Sequence, residues 1–180
     1  MKVTVLLVVY NCDKYISECI QSILKQTFDE FELLIINDAS TDNTLNIIKS
    51  FKDRRIKIIS MKQNNYIEAL NTGLKNAKGK YIARMDGDDI MLPNRLETQV
   101  RLMEDNPNVH ICCSWYECFG IYKNVSKGYS GKILHPLLYL LSRNIFAHPT
   151  AMLQKSFLQK HHITYKEYPY AVRIINYGVT

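Results

Sequence analysis

The sequence predicts an α/β protein in three layers, a mostly parallel central sheet with helices on both faces. Three observations carry that expectation. Short apolar, β-branched runs recur at residues 3–10, 31–37, 56–60 and 80–86. Between them lie stretches whose apolar residues return with helical spacing. The first run is apolar almost without a break, as a strand covered on both faces must be. Such alternation builds right-handed βαβ crossovers, and sheets of this kind bind ligands beyond the carboxyl ends of their strands.

Taken in order, the first strand ends at Tyr10. Asn11 and Asp13 then offer caps for a helix whose face carries Ile16, Cys19, Ile20, Ile23 and Leu24, reaching to Gln26. Phe31 to Asn37 reads as the second strand, followed by the polar turn Asp38-Ala39-Ser40-Thr41-Asp42 and a helix carrying Leu45, Ile48 and Phe51. Ile56 to Ser60 is the third strand. Ile67, Leu70, Leu74 and Ala77 mark a third helix, for which Gly79 is the expected C-cap. The fourth strand runs from Lys80 into the acidic stretch Asp86-Gly87-Asp88-Asp89. Pro93 suits the first turn of the next helix, which carries Leu96, Val100 and Met103 and stops at Asn106-Pro107. Residues 109–119 are apolar and aromatic and are expected to cross the sheet again. Residues 122–132 read as a loop, residues 135–143 as a helix, and Ala151-Met152-Leu153 as an extra strand after Ala147-His148-Pro149-Thr150.

The totals narrow the function classes. A chain of 180 residues with 47% apolar content suits one compact unit, so 1–180 is expected to be a single domain. The net charge of +6 comes from Lys and Arg scattered along the chain. That distribution fits an anionic small substrate as readily as nucleic acid, which is not expected as a partner. The odd set of Cys12, Cys19, Cys112, Cys113 and Cys118 lacks zinc or disulfide spacing and reads as reduced thiols of a cytoplasmic protein. The N-terminal apolar run lacks a small-residue cleavage site, and no run is long enough to span a bilayer.

Phosphate-cradling motifs are missing. No Gly-rich turn follows the first strand and no Gly-Lys-Ser/Thr loop occurs, which argues against a dinucleotide dehydrogenase or a P-loop NTPase. Asp86-Gly87-Asp88-Asp89 departs from calcium-loop spacing, because its glycine lies between the first two aspartates. It reads either as a solvated turn or as a site where one or two carboxylates hold a divalent ion whose other positions take diphosphate oxygens and water. A shared strand edge with Asn11 and Asp38 favours the second reading. Asp38 either binds a ligand or caps the following helix. Arg84 either binds phosphate or neutralises a neighbouring aspartate, and His148 is either a metal or phosphate ligand or structural.

Four stretches then carry a resemblance: Val5-Leu6-Leu7-Val8-Val9-Tyr10-Asn11, Ser22-Ile23-Leu24-Lys25-Gln26-Thr27-Phe28, Ile36-Asn37-Asp38-Ala39-Ser40-Thr41-Asp42, and Ala77 through Asp89. In this order they resemble the family 2 inverting glycosyltransferases, and His148-Pro149-Thr150 also fits. The resemblance implies a GT-A (Rossmann-like) fold, with residues 1–105 as the nucleotide-sugar-binding half and 106–180 as an incomplete acceptor half. It implies that Asp38 holds the nucleotide base in a pocket lined by Val9, Tyr10 and Asn11. Asp86 would lie near the ribose, with Arg84 beneath it, and Asp88 would bind Mn²⁺ or Mg²⁺ on the diphosphate, with Asp89 behind and His148 a further candidate ligand. The implied donor is a nucleotide-sugar, a UDP-sugar above all, and the acceptor a hydroxyl of a glycan, lipid or protein. The implied setting is the cytoplasm or the cytosolic membrane face, with oligomer formation left open.

Inversion by direct displacement requires a base to take the acceptor proton. In the family that base is an aspartate in a Glu-Asp pair after the His-Pro-Thr region, followed by a Tyr-x-Leu-Trp-like stretch. The matching place here, residues 168–180, has Val172 and Arg173, which cannot remove a proton at neutral pH, so the catalytic base is unassigned; Glu167 is the nearest carboxylate. The codons for Ile174-Ile175-Asn176-Tyr177-Gly178 can spell Tyr-Lys-Leu-Trp-Gly in a neighbouring frame, so a frameshifted, truncated end is expected, which the coding DNA decides. A catalytically inactive nucleotide-sugar-binding remnant is the competing reading. A nucleotidyltransferase is disfavoured by the absent Gly-rich phosphate loop.

Overall fold

The computed structural model describes residues 1–119 and 147–166, together with the backbone of the short strands Asn124–Ser126 and Arg173–Ile174. The loop expected at 122–132, the helix expected at 135–143, Glu167 and the 168–180 stretch lie outside the described residues, apart from those two strands.

The expected strand–helix alternation is present. β1 (Val3–Val9), α1 (Ile16–Leu24), β2 (Phe31–Asn37), α2 (Thr44–Ser50), β3 (Ile56–Ser60), α3 (Tyr66–Asn76), β4 (Tyr81–Asp86) and α4 (Arg95–Asp105) follow one another. Then come β5 (Ile111–Cys112), β6 (Tyr116–Cys118), β7 (Asn124–Ser126), a 3₁₀ turn (His148–Thr150), β8 (Met152–Gln154), α5 (Lys155–Lys160), β9 (Tyr165–Lys166) and β10 (Arg173–Ile174).

The central sheet has six strands in the order β3-β2-β1-β4-β8-β5. β1, β2, β3 and β4 are mutually parallel, and β8 enters antiparallel to both β4 and β5. Because successive strand residues face opposite sides, β1 feeds two cores. Val3, Val5, Leu7 and Val9 pack with α1, α2 and α4 through Ile20, Ile23, Ile48, Leu96 and Val100. Leu6 and Val8 pack with α3 and α5 through Ala69, Leu70 and Leu158. These are the three layers.

Four local expectations are corrected. α3 stops at Asn76 with Ala77 as its cap, whereas Gly79 is the point where the chain presses on β1: a Cβ there would lie 2.4 Å from the Thr4 nitrogen. Pro93 precedes α4, whose N-cap is Asn94, and its carbonyl instead accepts from the Thr27 N–H at 2.9 Å. Within 109–119 only Ile111–Cys112 joins the central sheet, while Tyr116–Cys118 pairs with Asn124–Ser126 in a separate ribbon. Neither Asn11 nor Asp13 caps α1, which begins after Tyr15 without a side-chain cap.

Beneath the sheet, at the amino ends of its strands, Thr4 Oγ1 donates to the buried Glu32 carboxylate at 2.7 Å and accepts from Gly79 N at 2.9 Å. This junction positions β4 against β1 before the strand reaches its acidic end. Replacing Gly79 with alanine is expected to push these backbones apart and cost about 2 kcal/mol or more, as overpacked sites do. Urea unfolding of the variant at neutral pH measures it.

Candidate functional site

β2 and β4 flank β1, with Val9 opposite Asn37 and Val8 opposite Asp86. The carboxyl ends of these three strands therefore share one edge of the sheet, where folds of this kind form their ligand crevice, and Asn11, Asp38 and the Asp86–Asp89 turn all lie at it. At sheet spacing, the ends of β2 and β4 stand about 10 Å apart across β1.

The loops leaving β1 and β2 are sewn together. The Asn11 N–H donates to Ser40 Oγ at 3.1 Å, Asn11 Oδ1 accepts from the Thr41 N–H at 2.8 Å, and the Cys12 N–H donates to Thr44 Oγ1 at 2.8 Å. The Asp13 N–H donates to Asp42 Oδ2 at 3.1 Å. Asn11 and Ala39 both carry positive φ, 50° and 58°. Asparagine tolerates that region, but alanine pays for its Cβ. These cross-loop bonds hold the chain there and leave Tyr10 half-exposed beside Asn11 at the rim. Val9, by contrast, is buried.

Asp38 does not cap α2; Asn43 precedes that helix, and Asp42 Oδ1 accepts from the Thr44 N–H at 2.9 Å. The Asp38 carboxylate turns the other way. Its Oδ1 accepts from the Asn65 N–H at 2.9 Å and its Oδ2 from Asn64 Nδ2 at 3.2 Å, and the residue is 1% exposed. Asn65 in turn caps α3 through the Glu68 N–H. Two of the carboxylate's roughly four lone-pair sites are thereby used.

Arg84 is 0% exposed. Its Nη2 pairs with Asp86 Oδ1 at 2.5 Å and donates to the Tyr66 hydroxyl, while Nη1 donates to the Met85 carbonyl. Burial is the largest influence and alone would lower its pKa, yet Asp86, together with Tyr66 and Tyr165, holds the guanidinium above its ordinary value. Its Nε has no hydrogen-bond partner among the described residues. So enclosed, the guanidinium faces Asp86 rather than solvent.

Asp88 is exposed and Asp86 partly so. Gly87 leaves no room for a side chain, since a Cβ would lie 2.9 Å from Val9 Cγ1 and 3.1 Å from Cys12 Sγ. Burial, then the charges of Asp86 and Asp88, push the Asp89 carboxyl up to about 6. A cluster that keeps a proton through burial and like charge fits a divalent cation chemically. Among the described residues no group of three or more His, Cys, Asp or Glu gathers to hold one.

His148 opens the 3₁₀ turn that packs on β4. Its Nε2 is 2.9 Å from the Tyr165 hydroxyl, so a metal at that nitrogen would displace the tyrosine. Burial, reinforced by the Arg84 charge, pushes the imidazole down to about 4, leaving it neutral at pH 7.

Sequence reasoning missed the residues that hold the acidic turn in place. Gln26, 7% exposed, donates to the Leu92 carbonyl at 2.7 Å and accepts from the Leu96 N–H at 3.1 Å. Ser22 Oγ accepts from the Met91 N–H at 3.0 Å, and Arg95 Nη2 donates to the Arg84 carbonyl at 2.9 Å. Gln26 was legible only as part of the Ser22–Phe28 stretch, without a role.

Asp89 and His148 titrate in opposition. Asp89 has a raised folded pKa, so its contribution is fully present below its unfolded value near 4 and is lost as pH rises through about 6. His148 has a lowered one, so its contribution is present above about 6.5 and is lost as pH falls toward about 4. The two are expected to offset each other between pH 4 and 6.5. Denaturant titrations across that range should show the stability of Asp89→Asn rising with pH and that of His148→Gln falling, with wild type flatter than either.

The sequence model of the family described as "Glycosyl transferase family 2" matches residues 4–165. An uncharacterized glycosyltransferase of Haemophilus influenzae is 37% identical over 185 aligned residues, covering 94% of this chain and 57% of that protein. The Escherichia coli UDP-Glc:alpha-D-GlcNAc-diphosphoundecaprenol beta-1,3-glucosyltransferase WfgD is 40% identical over 119 residues, covering 64% of this chain and 46% of that protein. The chain thus spans about half the length of these relatives. Among solved structures, S. aureus TarS 1-349 superposes with a TM-score of 0.74 at 24% identity, over 92% of this chain and 50% of that one. TarS has also been solved in complex with UDP-GlcNAc. The mannosyltransferase PcManGT of Pyrobaculum calidifontis, solved with GDP-Man and Mn²⁺, gives a TM-score of 0.67 at 20% identity, over 88% of this chain and 46% of that one.

Proposed function

The chain belongs to glycosyl transferase family 2 and has the GT-A fold, and on that premise we propose that its crevice binds a nucleoside-diphosphate sugar, a UDP-sugar, with Mn²⁺ or Mg²⁺ for inverting transfer to an acceptor hydroxyl. The observation that carries the reading is the convergence of Asp38, from β2, and the Asp86–Asp89 turn, from β4, on the two sides of β1. An extended ligand with a hydrogen-bonding ring at one end and a diphosphate at the other fits that separation.

In this reading the free lone pairs of Asp38 accept from a base N–H, and the Val9-Tyr10-Asn11 turn lines the ring's edge. Asp86, oriented by Arg84, lies beside the ribose. Asp88, exposed and without a cationic partner of its own among the described ion pairs, takes the cation. A divalent ion there would supply charge neutralisation for a departing diphosphate. Asp89 sits behind it, so a cation would also draw off the proton that the carboxyl keeps up to about pH 6.

Titration calorimetry with UDP tests the proposal. UDP is expected to bind in the presence of Mn²⁺, and Asp88→Ala to lose at least tenfold in affinity, with the loss confined to Mn²⁺-containing buffer. Asp38→Asn is expected to weaken UDP but leave inorganic pyrophosphate with Mn²⁺ unaffected. UDP binding that ignores both Mn²⁺ and Asp88→Ala would overturn the assignment.

A further inference from the structure

Asp38 and Asp86 lie on strands that do not touch each other, yet a chain of contacts on the α3 side of the sheet joins them. The Asp38 carboxylate accepts from the Asn65 N–H and Asn64 Nδ2. The next residue, Tyr66, opens α3, and its hydroxyl accepts from Arg84 Nη2. That same nitrogen holds Asp86 Oδ1. The Arg84 backbone is pinned as well, its N–H donating to the Ala151 carbonyl at 2.8 Å and its carbonyl accepting from Arg95.

We propose that Arg84 is a positioning residue whose Nη2, through its two in-plane N–H groups, ties the β3–α3 loop to the acidic turn through Tyr66 and Asp86, so that the two ends of the ligand crevice are set as one unit. The proposal rests on the reading of this crevice as the donor site for its consequence in binding, but the tie itself is a property of the ligand-free chain. Three features support it. The side chain is fully enclosed, so its role is exerted through its partners. Its partners come from two different crossovers, the α3 N-terminus and the end of β4. A planar guanidinium can hold two groups at fixed angles, whereas an ammonium acts as a point charge.

Two variants separate this from simple charge neutralisation. Tyr66→Phe removes one hydroxyl and leaves the Arg84–Asp86 pair in place; Arg84→Lys keeps the charge and removes the planar Nη2 group that both partners share. The readout is amide hydrogen exchange of the ligand-free protein, with thermal unfolding to confirm folding. Tyr66→Phe is expected to speed exchange at least threefold in both 62–68 and 86–89 while β1 and β2 keep their rates, and Arg84→Lys to do the same. A change confined to 62–68 in Tyr66→Phe, or wild-type exchange in Arg84→Lys, would overturn the proposal. With UDP and Mn²⁺, both variants are expected to bind three- to tenfold more weakly. If wild type binds no UDP, the donor-site reading falls, and the exchange data still decide the tie.

Discussion

A full positive charge enclosed in a sheet has to be answered where it lies, and that requirement organises the acidic end of β4. Desolvating a guanidinium is costly unless a carboxylate meets it with good geometry. Asp86 does so, two residues on and on the same face of the strand, and it cannot turn away without stranding Arg84. One of three clustered carboxylates is thereby fixed in direction and neutralised. Asp89 is half-buried behind it, and that burial, with the charges of Asp86 and Asp88 added, is why Asp89 holds its proton well above the usual carboxylate range.

The opposite wall is fixed by different means. Asn11 and Ala39 hold left-handed backbone, which asparagine tolerates and which costs the alanine on the order of 1 kcal/mol. Ser40, Thr41 and Thr44 offset that cost by bonding across from one loop to the other. The rim is therefore shaped before any ligand arrives. A ligand entering this crevice meets backbone and hydroxyls already committed, which lowers the ordering cost of binding.

The sequence made the parallel half of the fold readable, because unbroken apolar runs and helical spacing are local signals. The strand-end positions of Asn11, Asp38 and Asp86–Asp89 followed from the same signals. What stayed hidden depends on distance along the chain. Gln26 looks like any polar residue after a helix until the fold places Leu92 and Leu96 against it. Tyr66 and Tyr165 read as ordinary aromatics, though their hydroxyls meet Arg84 and His148. Gly79 reads locally as a helix stop, the usual use of glycine there, whereas packing against Thr4 is what excludes a side chain. The aromatic stretch at 109–119 has strand composition but divides between two sheets, a choice that composition cannot encode.

The antiparallel insertion of β8 has a consequence for the order in which the chain can become stable. β4 pairs with β1 on one side as soon as residues 81–86 exist, but its other side is filled only when Met152–Gln154 has been made. Until then the strand ahead of the acidic turn is a bare edge, with open N–H and C=O groups and the apolar residues Tyr81, Ile82 and Ala83 along it. Such edges recruit other strands. During synthesis on the ribosome the first four βα units can assemble early, yet they carry a sticky flank through the making of the whole intervening segment. The cluster of like charges just beyond that flank then acts as a gatekeeper, discouraging two nascent chains from zipping together before β8 seals the sheet.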